Sequence, residues 1–133
     1  MHAAASITTA PAVHRGIEGY EGAITEAYAP MRVTPSHATD RYRWAVQGER
    51  CGELRLTRIY AEGAIRAHIP ADTVRSRTGQ ILLIYVENGA FQFEQAGQRA
   101  QCETGSLVLM DASQPLRAAQ DGLAELLSIV FPA

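Results

Sequence analysis

The chain has 133 residues, 47% of them apolar and 20% charged, with 12 basic residues against 14 acidic ones and a net charge of −2. That length suits a single domain able to bury roughly two-thirds of its unfolded surface without staples. Every basic residue is an arginine, and no stretch of sequence gathers them densely. Nucleic-acid binding rests on phosphate neutralisation by a basic patch or stripe, so the composition argues against these residues holding DNA or RNA themselves.

Residues 1–16 read as a flexible arm, rich in Ala, Ser and Thr at its start and without periodicity. It lacks the basic start and apolar core of a signal peptide. From Ile17 to Ala29 the spacing of Ile17, Tyr20, Ile24 and Tyr28 puts four apolar residues on one face and predicts a short helix, ended by Pro30. Met31–Val33 reads as a short strand and Ser36–Arg43 as a loop. Strand signals dominate afterwards: Tyr42–Val46, a turn at Gly48–Gly52, then Leu54–Tyr60, a turn at Glu62–Gly63, and Ala64–Ile69 closed by Pro70. Ala71–Gly79 is polar. Ile81–Val86 is apolar at every position, and such a strand is covered on both faces or lines a barrel interior.

Asn88–Gly89 carries a hairpin signal. Phe91 and Phe93 then share one side, with Gln92 and Glu94 on the other. Ala96–Gly97 turns into the short polar strand Arg99–Glu103. Thr104–Gly105 leads into Leu107–Met110, followed by a polar corner, Asp111 to Pro115, where Asp111 has the position of a cap. Leu116–Ala118 and Glu125–Phe131 complete the set. Short strands at this spacing predict a mainly β fold, a sandwich or barrel, over about 42–132. No apolar run reaches the roughly 20 residues of a membrane-spanning helix, and the chain reads as soluble and cytoplasmic.

Few residues have the pattern of catalytic chemistry. Cys51 and Cys102 lie far apart, with neither a disulfide framework nor metal-ligand spacing, and read as free thiols. The histidines, His2, His14, His37 and His68, form no strand-borne pair of the kind a barrel metal site needs, so no metal and no cofactor is expected. Ser106 follows a turn and opens a strand, which is not the strand-to-helix elbow of a serine nucleophile. What remains suits binding. Trp44, Tyr85 and Phe93 are strand aromatics of the type that line small-molecule pockets. Arg66 and His68 share one face of their strand and are candidates for orienting a ligand.

Taken together, Gln95–Ala100, the run Gly105-Ser106-Leu107-Val108-Leu109-Met110-Asp111, Ser113–Leu116 and the closing Leu127–Pro132 resemble the N-terminal cupin-like domain of AraC-type transcriptional regulators. Ser106 and Gln114 depart from the acidic residue and the arginine usual at those positions. The resemblance implies a small jelly-roll barrel (a double-stranded β-helix) with a short N-terminal helix. It implies a small-molecule effector held in a metal-free barrel, and the residues expected to face that ligand, from the strand pattern, are Trp44, Arg66, His68, Tyr85 and Phe93. It also implies a homodimer, and DNA contact only through a C-terminal helix-turn-helix domain that these residues do not include, the chain reading as cut before it. The alternatives are a ligand-free structural or dimerisation module and a cupin-type enzyme, the latter disfavoured by the absence of a histidine cluster.

Overall fold

The computed structural model describes residues 12–28, 31–35, 41–70 and 80–132. In chain order the elements are β1 (His14–Arg15), α1 (Tyr20–Ala27), β2 (Arg32–Pro35), β3 (Arg43–Cys51), β4 (Leu54–Ile69), β5 (Gln80–Gln95), β6 (Gln98–Glu103), β7 (Leu107–Asp111) and β8 (Leu116–Pro132). All strand pairs are antiparallel, in the order β1-β3-β4-β8-β5-β6, with β2 added beside β4 and β7 beside β5. The mainly β, cupin-like fold with one short N-terminal helix is the one the sequence implies.

Three long strands, β4, β8 and β5, form a spine that bends midway and so serves two layers. Their Leu54–Glu62, Leu123–Pro132 and Gln80–Tyr85 portions build a first sheet with β1, β3 and β7. Their Ala64–Ile69, Leu116–Asp121 and Gln92–Glu94 portions build a second sheet with β2 and β6. The bend replaces the turn expected at Glu62–Gly63 and the hairpin expected at Asn88–Gly89: both strands run on through their glycines. Likewise β8 is continuous across residues 119–124. The turn expected at Gly48–Gly52 lies at Gly52–Glu53, because Gly48 stays in the ladder opposite Thr57.

Inward side chains from the two layers make the core. Ile59, Ile65, Ala67, Leu82, Ile84, Val86, Phe91, Phe93, Leu116 and Val130 are all buried, and alternate residues point outward. The helical stripe behaves as its spacing predicts: Tyr20, Ile24, Ala27 and Tyr28 are buried and Ile17 packs against them. The helix is shorter than the expected 17–29. It starts after Gly19, whose φ of +86° is left-handed, and residues 29–30 lie outside the described residues. Arg55 Nη1 donates to the carbonyls of Glu26 and Ala27 at 3.0 and 2.8 Å, placing a cation where the last helical carbonyls lack partners.

The expected flexible arm is anchored at its inner end. His14 and Arg15 pair with Trp44 and Arg43, the His14 ring stacks on Trp44 at 4.2 Å, and Trp44 Nε1 donates to the Gly16 carbonyl at 2.9 Å. Residues 1–11, most of the expected loop Ser36–Arg43 and the segment Ala71–Gly79 lie outside the described residues. The Asp111 corner is as expected. The Asp111 carboxylate accepts from the Ser113 amide and hydroxyl and from Gln114 Nε2, and these bonds hold its carboxyl below the ordinary carboxylate value.

Candidate functional site

Between the layers lies a small apolar cavity of about 70 Å³, bordered by Tyr20, Ile24, Tyr28, Ile84, Phe91 and Phe93 among others. Sites for drug-sized ligands occupy about 300–1,000 Å³. Tyr20 and Ile24 of the helix, with Tyr28, form part of the cavity's wall.

A larger concavity lies on the outer face of the second sheet, where five strands set their outward residues in two lateral rows. In the first row Arg32 (β2) stands beside His68 (β4), His68 beside Arg117 (β8), Arg117 beside Glu94 (β5), and Glu94 beside Arg99 (β6). In the second row Thr34 stands beside Arg66, Arg66 beside Ala119, Ala119 beside Gln92, and Gln92 beside Gln101. The alanine leaves a gap between longer neighbours. The resulting open groove has a volume of about 560 Å³ and continues past Gln92 and Gln101 into a basin of about 290 Å³ that ends at Asp121. Glu94 accepts from Arg99 Nη2 at 3.2 Å, and Gln92 Nε2 donates to Gln101 Oε1 at 2.7 Å. Among the described residues no carboxylate pairs with Arg32, Arg66 or Arg117.

The residues singled out from sequence fall in separate places. Arg66 and His68 sit together in the groove. Phe93 is buried, its ring 4.0 Å from that of Phe91, and it borders both the cavity and the floor of the groove. Trp44 is buried beside Tyr20 and His14. Tyr85 is 42% exposed on the outer face of the first sheet. The sequence reading missed Arg32, Glu94, Arg99 and Arg117 as neighbours of Arg66 and His68. Period-two alternation puts each on the outward side of its own strand, but the register that aligns them joins residues up to 85 positions apart (Arg32 to Arg117). Among the described residues no three His, Cys, Asp or Glu side chains gather as metal ligands would.

The outer face of the first sheet has the opposite character. Leu107 and Leu109 on β7 stand beside Tyr85 and Leu83 on β5, which stand beside Leu127 and Ile129 on β8, with Leu56 of β4 beside Ile129. Ile81 pairs with Phe131 one step along. Leu107 and Leu109 are each 66% exposed, and no described residue covers them. The salt bridge between Arg58 and Glu87, at 3.3 Å, lies at the rim. The strand that is apolar at every position thus faces the core on one side, while on the other Ile81 and Leu83 are half-buried and Tyr85 is exposed.

Comparison with known proteins places this geometry. No curated protein matches the chain in sequence. In three dimensions it resembles the AraC-like transcriptional activator CuxR with a TM-score of 0.73 at 12% identity. The match covers 92% of this chain and 47% of the activator, so the chain spans about half that protein's length. It also resembles the cupin domain of an XRE-family transcriptional regulator from Enterobacter cloacae (TM-score 0.54, 10% identity, 68% of this chain and 97% of that one). A third likeness is ectoine synthase from P. lautus (TM-score 0.54, 11% identity, 67% and 64%). Likeness at these identities establishes the fold, which regulators and an enzyme share. The AraC-binding-like domain family matches residues 20–133. The chain belongs to the AraC-binding-like domain family.

Proposed function

We propose that this domain is the sensing module of an AraC-type transcriptional regulator. It binds a small-molecule effector and, as a cytoplasmic homodimer, controls a helix-turn-helix domain supplied by another part of the regulator. It works by binding, without catalysing a reaction. The family supports a regulatory ligand-binding role. Effector control then requires that the ligand favour one arrangement of module and DNA-binding domain over another.

The observation that carries the reading is the bare apolar face of the first sheet. A monomer rarely exposes a contiguous apolar patch beyond a few hundred Å², and a larger one marks an interaction surface. Leu54, Tyr85, Leu107 and Leu109 are exposed, and Leu56, Ile81, Leu83, Leu127, Ile129 and Phe131 between them are half-buried, so the face offers a contiguous apolar surface of the kind that forms interfaces. A second copy of the chain fits this patch, because one continuous apolar surface rimmed by both charge signs is self-complementary across a two-fold axis.

Fusing the whole chain to a heterologous DNA-binding domain that represses only as a dimer tests both parts. The expected result is repression of a reporter that changes when a pool of cellular small molecules is added. Absence of both repression and response would overturn the proposal. A second reading, the ligand-free dimerisation module, draws on the small volume of the interior cavity. It would be favoured by repression that no small molecule alters.

A further inference from the structure

We propose that the outer groove of the second sheet is the effector site, and that it takes a small anion bearing carboxylate or phosphate groups, held chiefly by Arg66 and Arg117. This inference rests on the reading of the domain as a sensor and gives that sensor a site and a ligand class.

The first argument is charge. Arg32, His68 and Arg117 are consecutive lateral neighbours, and Arg66 is one diagonal step from Arg117. Arg66 and Arg117 are diagonal cross-strand neighbours, within reach of each other for long side chains, and two like charges so placed repel. The carboxylates nearby are Glu94, engaged by Arg99, and Asp121 at the far end of the basin. Among the described residues Arg32, Arg66 and Arg117 have no carboxylate partner, so the groove has an excess of positive charge that a bound anion would neutralise. The chain as a whole is acidic, at −2, so this excess is local to the groove.

Shape and side-chain chemistry narrow the ligand. Ala119 lies between Arg66 and Gln92 and leaves room at the centre of the second row. The volume of about 560 Å³ is that of a small-molecule site. A guanidinium presents a planar fork of donors that grips carboxylate or phosphate two bonds at a time, and here two such groups border one gap. Thr34 and the Gln92–Gln101 amides supply neutral donors and acceptors for the rest of the molecule. Phe91 and Phe93 border the basin and the groove but are each buried, with their rings also lining the interior cavity, and the ring among the outward residues of the two rows is the small His68 imidazole. Single-stranded nucleic acid is held by stacking on aromatic side chains as well as by charge, so the groove favours a small anion.

The test uses the purified 133-residue chain in calorimetric titrations with citrate, inorganic pyrophosphate and, as a neutral control, glucose. One saturable site is expected for citrate, pyrophosphate or both, and none for glucose. The stronger of the two anions identifies the carboxylate or the phosphate class. Arg66→Gln and Arg117→Gln should each weaken binding by about tenfold or more, as expected for loss of a charge-assisted pair of hydrogen bonds. Arg50→Gln, on β3 of the other sheet, removes the same charge and should leave affinity unchanged. Three outcomes would overturn the site: no saturable binding of either anion, binding unaffected by both groove substitutions, or equal weakening by Arg50→Gln. The fusion reporter separates this inference from the reading beneath it. A reporter that responds to small molecules equally in the wild-type chain and in the Arg66→Gln and Arg117→Gln chains keeps the sensor and removes the site. Saturable, arginine-dependent anion binding with a reporter that no small molecule alters keeps the site and removes the sensor.

Discussion

Gly63 and Gly122 stand opposite each other across β4 and β8, and both have positive φ, +138° and +111°. On the other side of β8, Gly89 of β5 pairs with Ala124 and has φ of +95°. Gly89 is two residues along from the Gly63–Gly122 row, so the three glycines mark an oblique band across the three spine strands. A left-handed or similarly unusual backbone is open to glycine without a Cβ penalty, so the strands bend together along that band and the hydrogen-bonded ladder continues on both sides. One sheet thereby becomes two facing layers. The groove and the apolar face lie on opposite sides of the molecule because of this bend.

Close approach makes Gly89 the most sensitive point of the band. A Cβ there would lie 1.9 Å from the Leu123 carbonyl oxygen and 2.6 Å from its carbon, backbone atoms that cannot swing aside. Gly89→Ala should therefore cost about 3 kcal/mol or more, as backbone strain and overlap add. Gly52→Ala provides the comparison. It has positive φ, +65°, but nothing within 4 Å of the added carbon, so its cost should be about 1 kcal/mol. Urea unfolding of both variants checks the difference. Equal midpoints would show that the crowding at Gly89 is not felt.

These glycines also show what the sequence could and could not reveal. Glu62-Gly63 and Asn88-Gly89 have the residue types of turns, and by sequence each predicts the end of a strand. A local signal fixes that the chain must bend there, but not whether it reverses. The chain does not reverse there because the segments before and after each glycine both pair with β8. By contrast, Ala96–Gly97 and the Asp111 corner were legible because their turns close on their own neighbours. The helix stripe was legible for the same reason: Tyr20, Ile24 and Tyr28 need only the 3.6-residue period to share a face. Arg66 and His68 were found because they lie two apart on one strand. Arg117 and Glu94 join them only through register, which is a property of the assembled sheet.

Two hydroxyls in the core should contribute unequally. Tyr28 Oη lies 2.5 Å from Ser128 Oγ, and Ser128 Oγ donates its one proton to the Thr57 carbonyl at 3.2 Å. The tyrosine must then be the donor to the serine. Tyr28→Phe removes one hydrogen bond and should cost about 1 kcal/mol, whereas Ser128→Ala removes two and should cost about 2 kcal/mol. Denaturant titration of both single variants and the double variant measures the coupling, expected at about 1 kcal/mol. A coupling near zero would mean that the short contact contributes nothing to stability.

Stability should also fall in alkali. Burial pushes the phenols of Tyr20, Tyr28 and Tyr42 above their ordinary value of 10.0. An unfolded chain would ionise them near 10, while the folded chain keeps them neutral. For an acid whose folded pKa is raised, the stabilisation is fully present below the unfolded pKa and is lost as pH rises toward the folded value. Urea midpoints should thus decline above pH 10, and phenolate absorbance should rise in step with unfolding. Tyr28→Phe should shift that decline to higher pH relative to its own stability at pH 8. Full ionisation of all five tyrosines in a chain that remains folded would contradict the buried placement of these three.

The apolar face offers the most direct check on assembly. Leu109 is 66% exposed and sits beside Leu83, between Leu107 and the Asp111 corner, so its side chain does little for the core of its own chain. Leu109→Glu should leave the urea midpoint of the monomeric form nearly unchanged, within about 0.5 kcal/mol, as for other outward positions. In a homodimer joined through this face, the same change places two carboxylates near a two-fold axis in an apolar contact, where each must be desolvated without a partner. Light scattering across a concentration series should then show a dimer for the wild type and a monomer for Leu109→Glu, with Arg50→Gln behaving as wild type. Buried side chains such as Ile84 cannot make this distinction, since substituting them would unfold the layers themselves. If wild type and Leu109→Glu associate equally, the dimer uses another surface and this face belongs to a different partner.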